Sequence, residues 1–359
     1  MRIAIIGTVG IPAKYGGFET LTEYLTKYLG SHFSIDVFCS SRTVNEKIKK
    51  YNNANLIYLP LKANGIQSIP YDIISILYAI LNPKVNTLLI LGVSGAIILP
   101  FVRIFSKKRI ICNIDGLEWK RDKWNSTISR FLKFSELLAV KYSNHIICDN
   151  EEILNYVKKE YANENCSLIA YGADHVRRIA IEEESISKYT FLSSKYAFKV
   201  CRIEPENNVE LILEAFSLQK KTPLVIIGNW NNSTFGLNLR KKYKNFKNIF
   251  LLDPIYNQNK LDQLRSNCYV YIHGHSAGGT NPSLVEAMYL ELPIFTFDVK
   301  YNKYTTNNNA KYFSSKEDLV CLLDEMNDND LSVIAKKMKE ISILHYNWRK
   351  IADKYSKLF

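Results

Sequence analysis

The sequence predicts a two-part α/β protein with parallel sheets, on three observations. Strand-type and helix-type apolar patterns alternate along all 359 residues, as in sheets assembled from β-α-β units. The first strand-like run, Arg2-Ile-Ala-Ile-Ile6, is apolar almost throughout, which suits a strand covered on both faces. Midway, the charged and apolar-poor stretch 175–187 interrupts the series and reads as an exposed connection between halves. Each half is long enough for its own core. Two such halves face a central cleft at the carboxyl ends of their strands, where parallel sheets bind ligands.

The elements follow in order. The first strand runs into Gly7-Thr-Val-Gly-Ile-Pro-Ala-Lys-Tyr-Gly-Gly-Phe-Glu19, and a helix continues to residue 29 with Leu21, Tyr24, Leu25 and Tyr28 on one face. Short apolar runs place strands at 35–39 and 56–59, the apolar stretch 69–81 is a helix, and 87–91 is a central strand. Residues 85–102 carry no charge, at the lower limit for a membrane span. Asn86, Thr87, Gly92, Ser94, Gly95 and Pro100 divide that interval into strand, turn and short helix. A strand at 109–114 ends at Asp115-Gly116; helices at 126–142 and 151–161 flank a strand at 145–149, and 167–170 leads into Tyr171-Gly-Ala-Asp174.

The second series opens at 196–201 and extends to residue 325. Its clearest unit is the β-branched and aromatic run 269–272, a glycine-bearing loop, and a helix starting near Pro282, which Asn281 or Ser283 can cap. The final helices begin at Leu331 and Asn347, and the last one packs Trp348, Ile351 and Tyr355 back across the domain junction. The expected domains are 1–172 and 173–340, followed by a returning segment at 341–359.

Composition narrows the function. The net charge of +12 calls for an anionic partner: nucleic acid, a nucleotide, or an acidic membrane face. The basic residues are dispersed and no nucleic-acid module is present, so nucleic acid is not expected. Seven cysteines without C-x-x-C spacing fit buried thiols in a reducing cytosol. The chain enters its first strand at once, with no signal peptide expected.

Four stretches concentrate chemistry. In His273-Gly-His-Ser-Ala-Gly-Gly-Thr-Asn-Pro-Ser-Leu-Val-Glu286, a strand, a glycine loop and a helix N-terminus make a place for a diphosphate. Glu286, one turn into the helix, can accept hydrogen bonds from sugar hydroxyls; the plainer reading is a solvent-facing Glu. After the first strand, the glycine spacing departs from G-x-G-x-x-G and the acidic residue expected after the second strand is missing, which disfavours a nicotinamide oxidoreductase. Gly16-Gly17 still permits close approach of a substrate to backbone, or forms a simple tight turn. In Asp115-Gly-Leu-Glu-Trp-Lys-Arg-Asp122, Asp115 can act as a base or hold a sugar hydroxyl, and Lys120 or Arg121 can meet a phosphate. The alternative is a helix cap with solvated charges. Arg202 ends the first strand of the second half and can neutralise a leaving diphosphate, or pair with Glu204 or Glu206 on the surface. Asp328-Asn-Asp330 reads as a helix cap rather than a metal motif, and no metal site is expected.

With these blocks in place, the chain resembles the retaining GT-B glycosyltransferases of the family-4 type, and most closely a bacterial polysaccharide rhamnosyltransferase-like subgroup. The resemblance covers nearly the whole chain. It rests on Pro12-Ala-Lys-Tyr-Gly-Gly-Phe-Glu-Thr20, on the Asp115, Tyr171 and Arg202 blocks, and on 273–288. It implies two Rossmann-like domains, an acceptor domain followed by a nucleotide-sugar donor domain, and metal-independent chemistry with no cofactor. Glu286 matches the family's ribose-binding Glu and Arg202 its diphosphate-binding Arg. Gly278 stands where the wider family has a sugar-binding Glu, and Asn207 or Asn208 lies near a missing Lys. Backbone groups with Thr280 or Asn281 then replace that carboxylate.

The implied donor site is Gly16, Gly17, Arg202, Asn207, His273, His275, Gly278, Gly279, Thr280, Asn281 and Glu286. The implied acceptor site is Tyr15, Glu19, Asp115, Glu118, Lys120 and Arg121. Asp115, Arg202 and Glu286 are the expected catalytic residues. The expected reaction moves L-rhamnose from dTDP-rhamnose to an undecaprenyl-diphosphate-linked saccharide in capsule or O-antigen synthesis, at the cytoplasmic face of an anionic membrane. Other donors (UDP-hexose, UDP-N-acetylhexosamine or UDP-galactofuranose) are the alternative. An epimerase and a non-catalytic sugar-nucleotide-binding protein remain further alternatives.

Overall fold

The computed structural model describes all residues except 15, 44, 45, 115 and 121–124. It divides into two compact units, Met1–Tyr171 with Trp348–Phe359, and Gly172–Asn347. Each is a doubly wound α/β domain of Rossmann type.

The first unit holds β1 (Arg2–Ile6), β2 (Ser34–Ser40), β3 (Lys50–Tyr51), β4 (Ala54–Leu59), β5 (Thr87–Leu91), β6 (Arg109–Asn113), β7 (His145–Cys148) and β8 (Cys166–Leu168). Their order is β3-β4-β2-β1-β5-β6-β7-β8, parallel apart from the antiparallel β3–β4 edge. Ile3 lies opposite Ile35 on one side and Thr87 on the other, so β1 is central and buried, as its apolar sequence demands. One face of the sheet, with Ile3, Ile5, Val37, Leu89, Ile111 and Ile147, packs under the helices Gly17–Leu29 and Trp348–Ser356. Trp348 stacks on Tyr24 with ring centroids 4.6 Å apart, and Tyr355 Oη accepts a hydrogen bond from Asn113 Nδ2 at 3.0 Å. The C-terminal helix thus belongs to the core of the first unit.

The second unit holds β9 (Ala197–Val200), β10 (Leu224–Ile227), β11 (Ile249–Leu252), β12 (Val270–His273), β13 (Ile294–Phe297) and β14 (Lys311–Phe313). All pairings are parallel in the order β11-β10-β9-β12-β13-β14. Counted along the chain this is 3-2-1-4-5-6, whose order reverses between β9 and β12. The crevice beyond the carboxyl ends of those two strands is where such sheets bind ligands.

Two sequence expectations change. Stretch 175–187 is a strap on the second unit and not a free connection. Arg177 N donates to Asp262 Oδ2 at 3.0 Å, Ser185 Oγ to Gln263 Oε1 at 2.6 Å, and Arg178 Nε to the Leu290 carbonyl at 2.9 Å. Its polar residues are used as hydrogen-bonding partners, which composition alone reads as solvation. The second change is at the C-terminus. The helix Asp328–His345 carries the second unit through Asn347, so only Trp348–Phe359 returns to the first. Interval 85–102 forms β5, a turn, and the start of the helix Leu99–Phe105. Among the described residues no helix is long and apolar enough to cross a membrane.

Candidate active site

The switch point of the second unit gathers most of the predicted donor residues. β12 delivers His273 and His275, and the loop turns at Gly278, whose φ of +117° is reserved almost to glycine. A Cβ there would lie 3.1 Å from His275 Nε2. Asn281 then caps the helix Pro282–Tyr289, its Oδ1 accepting from Ser283 N at 3.0 Å and Ser283 Oγ at 2.8 Å. Pro282 fills the first turn, where its missing N–H costs nothing. This leaves the helix N-terminus beside a loop of small residues, which is an anion-binding geometry.

From β9 comes Arg202, about a third exposed, with Nε 3.7 Å from Glu204 Oε2. That is an ion-pair distance but too long for a hydrogen bond, and leaves the guanidinium available to a stronger anion. Asn207 ties the two loops together. Its Nδ2 donates to the Arg202 carbonyl at 2.9 Å, and its Oδ1 lies 3.1 Å from His275 Nδ1. Asn207 therefore shapes the backbone around Arg202 and fixes the His275 ring.

Glu286 is the electrostatic centre. Its side chain is 15% exposed, with Oε1 3.2 Å from His175 Nε2 and Oε2 hydrogen-bonded to Arg265 Nη1. Arg265 is fully buried and makes a second ion pair, Nη2 to Asp262 Oδ1 at 2.8 Å. Burial acts to raise the Glu286 carboxyl, but the Arg265 charge and the His175 hydrogen bond outweigh it and hold it at about 2. Glu286 is thus a fixed carboxylate at neutral pH, not a solvated surface group. Each of its oxygens keeps a lone pair beyond the one used for these contacts.

Beneath the loop lie two further buried groups. His273 is held well below the usual imidazole range by burial, Lys199 and His275. Its Nε2 is without a hydrogen-bond partner among the described residues. Lys199 on β9 is 1% exposed and is pushed down by burial. A Cβ on Gly274 would lie 2.3 Å from the Asn207 carbonyl and 3.1 Å from Lys199 Nζ, so glycine there lets the Asn207 loop pack closely above the lysine.

Sequence reasoning missed Arg265, His175, Asp262 and Lys199. Asp262 and Arg265 have the spacing of an ordinary exposed helix pair, and nothing local marks them as buried. Lys199 did leave a signal: a lysine inside Ala-Phe-Lys-Val-Cys contradicts an otherwise apolar strand.

In the first unit, Gly16 (φ +123°) precedes the helix that starts at Gly17. Glu19 Oε1 accepts from Val9 N at 2.7 Å and Thr8 Oγ1 at 3.1 Å, while a Cβ on Gly16 would lie 1.9 Å from Glu19 Oε2. Glu19 therefore fixes the Thr8 side chain and the Val9 backbone and packs against Gly16. Glu118 and Lys120 sit on a short turn, with Lys120 Nζ 5.2 Å from the Trp119 ring centroid. Thr280 is buried and Gly279 half-buried. Tyr15, Asp115 and Arg121 lie outside the described residues. Asp328, from the discounted metal motif, pairs with Lys195 and Tyr269, each at 2.7 Å. Among the described residues no group of three or more His, Cys, Asp or Glu is placed to hold a metal ion.

Comparison with known proteins agrees with this geometry. Residues 181–340 match the family described as glycosyl transferases group 1, and residues 1–174 match a domain of unknown function, DUF1972. No curated protein sequence matches the chain. Among solved structures it is similar to sucrose-phosphate synthase from Thermosynechococcus elongatus, with a TM-score of 0.83 and 13% identity over 99% of this chain and 98% of that one. It is also similar to Anabaena HepE in complex with UDP and glucose (TM-score 0.76, 10% identity, 99% and 98% covered). A Rickettsia africae glycosyltransferase gives a TM-score of 0.75 at 13% identity, with 99% and 97% covered. Residues 181–340 thus form a glycosyl transferase group 1 domain, and the pair of Rossmann-type domains has GT-B architecture.

Proposed function

We propose that this enzyme transfers a hexose from a uridine diphosphate sugar, with retention at the anomeric carbon, to a lipid-linked saccharide. The observation that carries the donor reading is the fixed Glu286 carboxylate. Both its oxygens are held in position, by Arg265 and His175, and each has a lone pair left for one of two neighbouring hydroxyls. A ribose offers such a diol, whereas the 2′-deoxyribose of a thymidine nucleotide offers one hydroxyl. A site built for a hydroxyl discriminates strongly against its absence. HepE, over the same architecture, has been seen with UDP and with UDP-glucose, which supports the same choice.

The diphosphate lies against Arg202 and the N-terminus of the helix Pro282–Tyr289, both of which stabilise negative charge as it develops on the leaving group. The bond from the anomeric carbon to the diphosphate breaks, the acceptor oxygen bonds to the same face of that carbon, and its proton passes to a leaving phosphate oxygen. Asp115 is the residue proposed to orient the acceptor hydroxyl, with Glu118 and Lys120 as further acceptor contacts. The acceptor is an undecaprenyl-diphosphate-linked saccharide of capsule or O-antigen type, met at the cytoplasmic face of the membrane.

A second reading keeps dTDP-L-rhamnose as donor. It is favoured by Gly278, whose left-handed backbone leaves no carboxylate for the sugar, and a 6-deoxy sugar has fewer hydroxyls to satisfy. Calorimetric titration with UDP and dTDP separates the two. UDP binding the tighter, and weakened about tenfold to a hundredfold in Glu286→Ala, is the expected result. Tighter dTDP binding moves rhamnose to the front, and no binding of either nucleotide refutes the donor site.

A further inference from the structure

Most of the net positive charge of the protein lies on one unit. Residues 1–171 and 348–359 hold 25 basic and 15 acidic residues, and residues 172–347 hold 22 and 20. The excess is therefore +10 on the first unit and +2 on the second. Within the first unit, 51–114 contain one acidic residue, Asp72, which is buried, against Lys62, Lys84, Arg103, Lys107, Lys108 and Arg109. No exposed carboxylate interrupts this stretch.

The same stretch exposes large apolar side chains in helical register. Ile74, Leu77, Tyr78 and Leu81 follow one face of the helix Ser68–Leu81, and Phe101, Ile104 and Phe105 one face of the helix Leu99–Phe105. Leu81 and Phe105 are each 81% exposed and Ile104 73%, far more than helices closing a core require. The two helices are joined into one surface. Lys108 Nζ donates to the Ala79 carbonyl at 3.3 Å and also to that of Asn82. Arg103 Nη1 donates to the Lys108 carbonyl at 3.1 Å, and its Nε to Tyr142 O at 2.6 Å. That last bond anchors the end of the helix Ser126–Tyr142, which exposes Phe134 and Leu137 between Arg130 and Lys141.

We infer that this face docks on an anionic lipid bilayer, the apolar side chains entering the headgroup boundary while Lys84, Lys107, Arg130 and Lys141 meet lipid phosphates. Exposed leucine and phenylalanine beside cations, with no exposed carboxylate in residues 51–114, is the combination that interfacial binding uses. A protein partner recognised through apolar surface alone would not need the acidic residues to be absent. The inference deepens the lipid-linked acceptor reading by assigning the surface that brings the enzyme to its substrate.

Co-sedimentation of the full chain with phosphatidylglycerol–phosphatidylcholine vesicles, and with phosphatidylcholine alone, tests it. Binding to the anionic vesicles at low salt is expected, weaker at high salt and on neutral vesicles. The double variant Leu81→Ser/Phe105→Ser is expected to lose at least about tenfold in partitioning, and Lys107→Glu to weaken binding at low salt more than at high salt. Unchanged melting of both variants shows that the fold is intact. Equal binding to neutral vesicles, or a double variant that binds like the parent, overturns the inference. So does a dimer in sedimentation velocity that the double variant dissolves, since a second copy then covers the face. Nucleotide binding by calorimetry is independent of this surface, so a failure here leaves the donor reading standing.

Discussion

At the residue scale, the site depends on one buried cation. Arg265 has no route to solvent, and its two carboxylate partners, Asp262 and Glu286, compensate it. Removing one partner of such a pair costs far more than the pair contributes. Arg265→Leu is expected to destabilise the protein by about 3–5 kcal/mol in urea melts at pH 7. Glu286 also sets a pH dependence. Its folded carboxyl titrates at about 2 against an ordinary 4.5, so its contribution is full above pH 4.5 and is lost as the pH falls towards 2. Glu286→Gln therefore flattens the acid limb of the stability curve between pH 4.5 and pH 2 and leaves its slope above pH 5 unchanged. Glu286 was legible in the sequence because a loop and a helix start announce it. Arg265 was not, because its importance comes from burial by distant parts of the chain, including the strap that carries His175 and Arg177.

At the element scale, the β12 loop and its helix are locally determined, and this is why they could be read directly. Gly278, Asn281 and Pro282 each sit where their own stereochemistry places them: a left-handed turn, a cap and a first helical turn. Gly278→Ala puts a side chain on a backbone that disfavours it, at a cost of about 1–3 kcal/mol, and presses on His275. The expected result is a lower melting temperature together with weaker UDP binding, the two falling in parallel. A variant that melts lower but binds UDP normally shows that the loop does not face the nucleotide. The strap 175–187 was misread for the opposite reason. Its polar residues pair with the helix Gln258–Ser266, about 80 residues away, and sequence pattern holds no record of such pairing. The C-terminal helix was recognised by Trp348, Ile351 and Tyr355, but the point at which the chain leaves the second unit, after Asn347, is marked by no residue type.

At the scale of the whole molecule, charge and chemistry are divided between the units. The first carries the excess of cations and the exposed apolar helices; the second carries the strand-order reversal, Arg202 and the Arg265–Glu286–His175 network. The alternation of strands and helices was enough to foresee both sheets, since parallel strands buried on two faces leave an unmistakable apolar record. Donor identity was not written there, because it depends on how many hydroxyls a fixed carboxylate can meet. The direct measurement is a donor screen by mass spectrometry. The protein is offered UDP-glucose, UDP-galactose, UDP-N-acetylglucosamine and dTDP-rhamnose, each with a lipid-diphosphate saccharide acceptor. Transfer of a hexose from a uridine diphosphate sugar, abolished in Arg202→Ala and Glu286→Ala, is the predicted result. Transfer of a deoxyhexose from dTDP-rhamnose, or hexose transfer that survives both substitutions, contradicts the account.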